Sequence, residues 1–130
     1  MDEPIVVMIT ATPDPDQADK LIVEVNRNLV LLSFEDADNI RWVCNDGTAV
    51  VQFAPAFNPF DPNANTGGQY QMAPGGSQVS GPPVDSVLDP EEQVFTQFKY
   101  SITVTSPDGS RSGALDPHVR VRRKRVYSRG

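Results

Sequence analysis

Residues 94–105 have the sequence V-F-T-Q-F-K-Y-S-I-T-V-T, the longest regularly alternating stretch of the chain. One set of alternate positions holds Val94, Thr96, Phe98, Tyr100, Ile102 and Val104. The other set holds Phe95, Gln97, Lys99, Ser101, Thr103 and Thr105. Successive side chains of a strand point to opposite faces, so the pattern predicts a β-strand with one packed face and one solvated face. We interpret it as the central strand of an antiparallel β-sandwich.

Shorter apolar runs predict further strands on both sides of this stretch. Ile5–Thr10 is rich in β-branched residues and is typical of a buried strand. Leu21–Val25 and Leu29–Phe34, separated by three polar residues, predict one long kinked strand or a tight hairpin, although their Leu and Glu also favour helix. A turn at residues 106–110 precedes the final predicted strand, near residues 115–122.

A hairpin is predicted over residues 39–54. Alternation runs through Ile40–Cys44 and resumes at Ala49–Phe53, with Asp46-Gly47 between the two runs. Both central residues of a type I′ turn need positive φ, so an Asp-Gly pair between alternating runs is a strong hairpin signal.

The segment of residues 55–93 has a different composition. It holds seven of the 12 prolines and five of the nine glycines, and no periodicity persists in it apart from a possible short strand near Gln69–Met72. It is predicted to be one long loop, either functional or disordered. The expected fold is therefore all-β, a sandwich of about seven antiparallel strands. It would form one domain over residues 1–122, followed by a flexible basic tail at 123–130.

This layout resembles the carboxy-terminal half of cupredoxin-like and immunoglobulin-like sandwiches, over residues 39–54 and 94–122. The resemblance rests on Trp42 in an early strand, the aromatic strand ending at Val104, and the following sequence D-P-H-V-R-V. It implies a Greek-key topology. The functional signatures of those families do not carry over, because His118 is the only imidazole, and Cys44 lies too early for copper and lacks a disulfide partner. No cofactor is expected.

The charge is unevenly distributed. Six of the 11 basic residues lie in residues 120–130 and all 17 acidic residues precede them, so residues 1–119 carry −12 and the remainder +6. An acidic body repels nucleic acid, which is therefore expected to bind only through the basic tail, if at all.

No window is apolar enough to span a bilayer. The single cysteine and the absence of a leader sequence after Met1 predict a cytoplasmic protein.

No catalytic residue is expected. Cys44 shares a face with Ile40 and Trp42, which is typical of a small buried hydrophobe. His118 alternates with the apolar Val119 and Val121 and should face solvent on an edge strand.

A calcium loop is an alternative for the stretch that begins at Asp61. Oxygen ligands stand at its positions 1, 3 and 5, which are Asp61, Asn63 and Asn65. Thr66 and Met72 occupy the positions where a calcium loop has its glycine and its bidentate acid, which favours a simple Asn/Gly turn.

Two groups of residues are candidates for binding. The long loop carries Phe57, Phe60 and Tyr70, and the tail region carries Arg122, Arg123, Lys124 and Arg125. The basic group could be a solubilising end or could protect a strand edge from aggregation. It could also contact an acidic partner, RNA or an anionic membrane, or drive self-association. The leading hypothesis is a non-catalytic module that binds a protein or peptide through the long loop. The alternatives are a small enzyme with carboxylate chemistry near the loop and a calcium-stabilised structural module.

Overall fold

The computed structural model describes residues 4–54, 56–61 and 67–124. Within these ranges the strands are β1 (Ile5–Pro13), β2 (Leu21–Val25), β3 (Leu29–Ser33), β4 (Ile40–Cys44), β5 (Thr48–Phe53), β6 (Gln69–Met72), β7 (Gly76–Val79), β8 (Thr96–Thr105), β9 (Ser112–Leu115) and β10 (His118–Arg122). A 3-10 turn covers Asp85–Val87.

The strands form two sheets, which confirms the predicted all-β, sandwich-like fold. The four-stranded sheet has the order β2-β1-β4-β7, and the six-stranded sheet has the order β3-β10-β8-β5-β6, with β9 also paired to β8. Strands β9 and β10 pair with β8 in one continuous register and are interrupted only at Asp116-Pro117. Two details differ from expectation: the described residues form ten strands, and the β1–β4 and β3–β10 ladders are parallel.

Strand β8 lies at the centre of the six-stranded sheet, as predicted. It pairs with β5 along one edge and with β9 and β10 along the other. Its even-numbered positions from Phe98 to Val104 are buried, and Gln97, Lys99 and Thr103 are exposed. The strand begins at Thr96, and Val94 precedes it as an exposed residue.

Strands β4 and β5 form an arch between the two sheets, so the predicted hairpin is wrong. Strand β4 pairs with β1 and β7, and β5 pairs with β6 and β8. Both strands direct large apolar side chains into the space between the sheets, where the rings of Trp42 and Phe53 lie 6.2 Å apart. Burying these faces against each other outweighs the local preference of Asp-Gly for a two-residue turn.

Strands β2 and β3 also belong to different sheets. Strand β2 pairs with β1, and β3 pairs with β10. The chain therefore changes sheets at Asn26–Asn28, where the side-chain Oδ1 of Asn26 accepts a hydrogen bond from the backbone N–H of Met8 at 2.8 Å. Strands β2 and β3 do not pair with each other, so the predicted alternative of a tight hairpin is wrong. The chain instead bends between them and passes from one sheet to the other.

The segment of residues 55–93 is more structured than one long loop. The predicted strand at Gln69–Met72 is confirmed as β6, and β7 and the 3-10 turn were not predicted. Strand β6 extends the six-stranded sheet beside β5, while β7 extends the other sheet beside β4. Part of this segment is therefore an edge of each sheet.

Aromatic side chains fill the core between the sheets around Trp42. The rings of Phe53, Phe60, Tyr70 and Tyr100 lie 5.0–6.4 Å from the Trp42 ring. Each such pair contributes about 0.5–1.5 kcal/mol beyond the burial of its area. This cluster joins β4 of one sheet to β5, β6 and β8 of the other.

Candidate functional site

An open groove of about 630 Å³ lies on the outer face of the six-stranded sheet. It forms where β5 ends at Phe53, opposite Tyr100, while β8 continues back to Thr96. The chain then turns, since the N–H of Phe57 donates to the carbonyl of Ala54 at 2.9 Å. The volume is within the range of pockets that hold small ligands or peptide side chains.

The floor of the groove is the solvated face of β8. Gln97, Lys99 and Ser101 project from β8, and Gln52 projects from β5. The alternation of β8 positions them, because the residues between them fill the core. His118 and Asp116 form the wall on the β10 side. The alternation of β8 predicted which of its side chains are buried. The candidate site lies on the opposite, solvated face of the same strand, for which no function was predicted.

Phe57 forms the apolar wall on the opposite side. Its ring lies 4.5 Å from the ring of the buried Phe98 and is tilted by 34°. Phe57 is nevertheless 45% exposed. One side of the ring is therefore held against the core and the rest faces the groove, which is how a partly packed aromatic serves as a binding anchor.

The polar groups of the groove are paired weakly or with each other. Lys99 and Asp116 form an ion pair at 3.6 Å with side chains 65% and 56% exposed, which contributes little to stability. Arg120 Nε donates to Gln97 Oε1 at 2.7 Å. The groove is therefore lined by polar side chains that can exchange partners when a ligand arrives.

The glutamines beside the groove form a chain of amide hydrogen bonds. Gln69 donates to Gln52 Oε1 at 3.1 Å, and Gln71 donates to Gln69 Oε1 at 2.6 Å. Gln52 itself donates to the carbonyls of Phe53 and Gly67. These bonds fix the orientation of the Gln52 amide at the edge of the groove.

Two of the three predicted binding aromatics are core residues. Phe60 and Tyr70 are buried, and the Tyr70 hydroxyl donates to the Ser80 carbonyl at 3.0 Å. This corrects the expectation that three aromatic side chains line one exposed loop. Of the three, only Phe57 is accessible to a partner. A Pro/Gly-rich segment has no regular period in hydrophobicity, so its sequence does not reveal which of its aromatic side chains pack between the sheets.

The predicted basic group is partly occupied by contacts with the body. The Arg123 guanidinium donates to the carbonyls of Asp85 and Asp89, each at 3.0 Å, and lies 3.5 Å from the Asp85 carboxylate. Lys124 pairs with Glu92 at 3.7 Å. These cations therefore hold the segment around the 3-10 turn against the end of β10.

Arg122, the first residue of the predicted basic group, also packs on the body. Its guanidinium carbon lies 4.9 Å from the centre of the Phe95 ring, as in a cation–π contact. Arg125 lies outside the described residues.

The calcium candidate is only partly within the structure. Asp61 is described and exposed, whereas Asn63 and Asn65 lie outside the described residues. Among the residues that are described, no group of three or more His, Cys, Asp or Glu side chains is arranged to hold a metal ion.

Cys44 and His118 occupy different sheets. Cys44 is fully buried in β4, as predicted, and burial raises the pKa of its thiol, so it is poorly suited to act as a nucleophile. His118 begins β10, which is flanked by β3 and β8, so the expectation of an edge strand is corrected. It lies half-buried in the groove wall.

Comparisons with protein-family models, with curated proteins and with solved structures find no match to this chain. Within residues 4–54, 56–61 and 67–124, no helix has the length and apolar character needed to cross a membrane. The groove therefore has to be interpreted from its own chemistry.

Proposed function

We propose that this protein is a non-catalytic β-sandwich module that binds a protein or peptide segment in the groove between Phe57 and His118. The observation that carries the proposal is the position of Phe57. It is an exposed aromatic side chain, held against Phe98 on one side and open to a groove on the other. Aromatic anchors of this kind supply much of the binding energy at protein interfaces.

The polar lining supports recognition of a polypeptide. Gln97 and Ser101 offer amide and hydroxyl groups to the carbonyls and N–H groups of a bound chain, beside the Gln52 amide, whose N–H groups already donate to Phe53 and Gly67. They project from strands of a sheet, so their spacing is set by a rigid scaffold. Binding pockets combine apolar side chains with placed polar groups that fix the orientation of the ligand, and this groove contains both.

The alternative of carboxylate-based catalysis receives less support from the groove. Asp116 is the one carboxylate among the described residues that line it, and Lys99 pairs with that group. Acid–base chemistry by paired carboxylates would need a second acid within reach.

Peptide selection against the folded protein tests the proposal. Peptides selected from a random library on the wild-type protein should bind Phe57→Ala with roughly 30-fold lower affinity, which corresponds to the loss of an anchor worth about 2 kcal/mol. Their binding should shift the NMR amide signals of Gln97, Lys99 and Ser101.

Phe34→Ala is the matched control. Phe34 is also an exposed phenylalanine, and it does not line the groove. This variant should bind the selected peptides as the wild type does. If the peptides bind Phe57→Ala and wild type equally, or shift signals only outside the groove, the proposal is wrong.

A further inference from the structure

Polar and charged residues in and beside the groove are ordered in two cross-strand rows. Lys99 of β8 lies directly opposite His118 of β10, and Gln97 lies directly opposite Arg120. Directly opposite side chains on one face of a sheet have Cβ atoms roughly 5 Å apart. The Lys99 amine and the His118 imidazole thus project from neighbouring positions on the outer face.

This surface differs in charge from the rest of the chain. Lys99, His118 and Asp116 line the groove, and Arg120 stands beside it on β10, so this surface holds two permanent cations, one imidazole and one carboxylate. The whole protein carries a net charge of −6. An acidic ligand would therefore be repelled by much of the surface and attracted to this groove.

The existing ion pair does not prevent such binding. Lys99 and Asp116 are both more than half exposed and 3.6 Å apart, so their interaction is screened and weak. A ligand carboxylate that reaches Lys99 from the Phe57 side can share or replace Asp116 as its partner. The Arg120–Gln97 hydrogen bond places a second cation one row away.

Resting on the proposed function, we infer that the bound segment carries an acidic side chain next to an apolar side chain. The acidic side chain is held by Lys99 and His118, and the apolar side chain packs on the exposed side of Phe57. This arrangement uses the floor and both walls of the groove, since Phe57 forms one wall, Lys99 projects from the floor and His118 forms the wall on the β10 side. Charge complementarity with Lys99 favours an acidic residue at one position of the bound segment, and contact with the Phe57 ring favours an apolar residue next to it.

The test uses three synthetic peptides that differ at one position, with Glu-Leu, Gln-Leu or Lys-Leu in a common Ser/Gly context. NMR titration measures their affinities even when the dissociation constants are millimolar. The Glu-Leu peptide should bind the wild type at least roughly tenfold more tightly than the Gln-Leu peptide, and added salt should reduce the difference. Lys99→Glu should abolish this preference and favour the Lys-Leu peptide.

Arg41→Glu is the matched control, because it makes the same charge change on an exposed residue of β4 in the other sheet. It should keep the preference for Glu-Leu. Equal binding of Glu-Leu and Gln-Leu at the groove would overturn the inference and leave the proposed function standing. Failure of Glu-Leu to shift any groove signal would also overturn it, whereas the proposed function is decided separately by the Phe57→Ala selection.

Discussion

Trp42 Nε1 donates a buried hydrogen bond to the hydroxyl oxygen of Tyr100 at 3.2 Å, linking β4 of one sheet to β8 of the other. The two rings meet edge to face, 5.8 Å apart. Burial raises the pKa of Tyr100 to about 12, so the hydroxyl stays protonated at neutral pH. This contact satisfies the one polar atom of the largest core side chain.

Tyr100→Phe should lower the free energy of unfolding by about 1–3 kcal/mol, because it leaves the buried Trp42 N–H without an acceptor. Urea unfolding measures the change. In a Trp42→Phe background the same substitution should cost much less, since the donor is already absent. An equal cost in both backgrounds would show that the hydrogen bond is not the cause.

Phe60→Ala should destabilise the fold by about 3–5 kcal/mol, because the Phe60 ring is fully buried against Trp42 and Phe53. Phe57→Ala is the comparison, and it should cost clearly less because Phe57 is partly exposed. Thermal and urea unfolding of both variants measure the difference. Similar stabilities for the two variants would contradict the assignment of Phe60 to the core and Phe57 to the surface.

Gly47→Ala should destabilise the protein by about 1–3 kcal/mol through crowding. A Cβ at this position would overlap the carbonyl oxygen of Thr105 in β8. Gly47 is not among the described residues with positive φ, so space rather than backbone conformation requires glycine there.

The control for this substitution is Asn45→Ala in the same arch, where the side chain is exposed. It should change the unfolding free energy by less than about 0.5 kcal/mol. A neutral Gly47→Ala variant would mean that β5 and β8 are less closely packed at this end than the structure shows.

Asp108 should titrate well below an ordinary aspartate. Its carboxylate accepts hydrogen bonds from the Ser110 N–H at 2.9 Å and from the hydroxyls of Ser110 and Ser106, each at 2.7 Å. These bonds, led by the Ser110 N–H, lower its pKa to about 2. Because the folded pKa lies below the unfolded value, the resulting stability is present above about pH 4 and is lost as the pH falls toward 2.

NMR titration of the Asp108 carboxyl carbon measures this pKa directly. A Ser106→Ala, Ser110→Ala double variant should raise the midpoint toward that of an unperturbed aspartate, since two of the donors are removed. A wild-type midpoint near 4 would contradict the hydrogen-bonded turn.

Residue alternation predicted correctly which faces are buried. The inward side chains of β8, the burial of Trp42 and Cys44, and the strand at Gln69–Met72 all follow from local sequence. The groove could be predicted only in part. Phe57 was predicted as a binding residue, but Lys99, Gln97 and Asp116 were not. The solvated face of a strand becomes part of a groove only when another segment packs beside it, and alternation does not show that packing.

The sequence by itself determined an all-β chain with β8 at its centre, because a period of two in hydrophobicity is a local property that fixes which side chains seek burial. Tertiary structure alone decided that β4 and β5 lie in different sheets and that β5 ends opposite Tyr100, four residues from the start of β8 at Thr96. Alternation specifies a buried face but not the neighbouring strand, since pairing depends on contacts between distant segments. The groove, and the role of Phe57 in it, follow from that pairing.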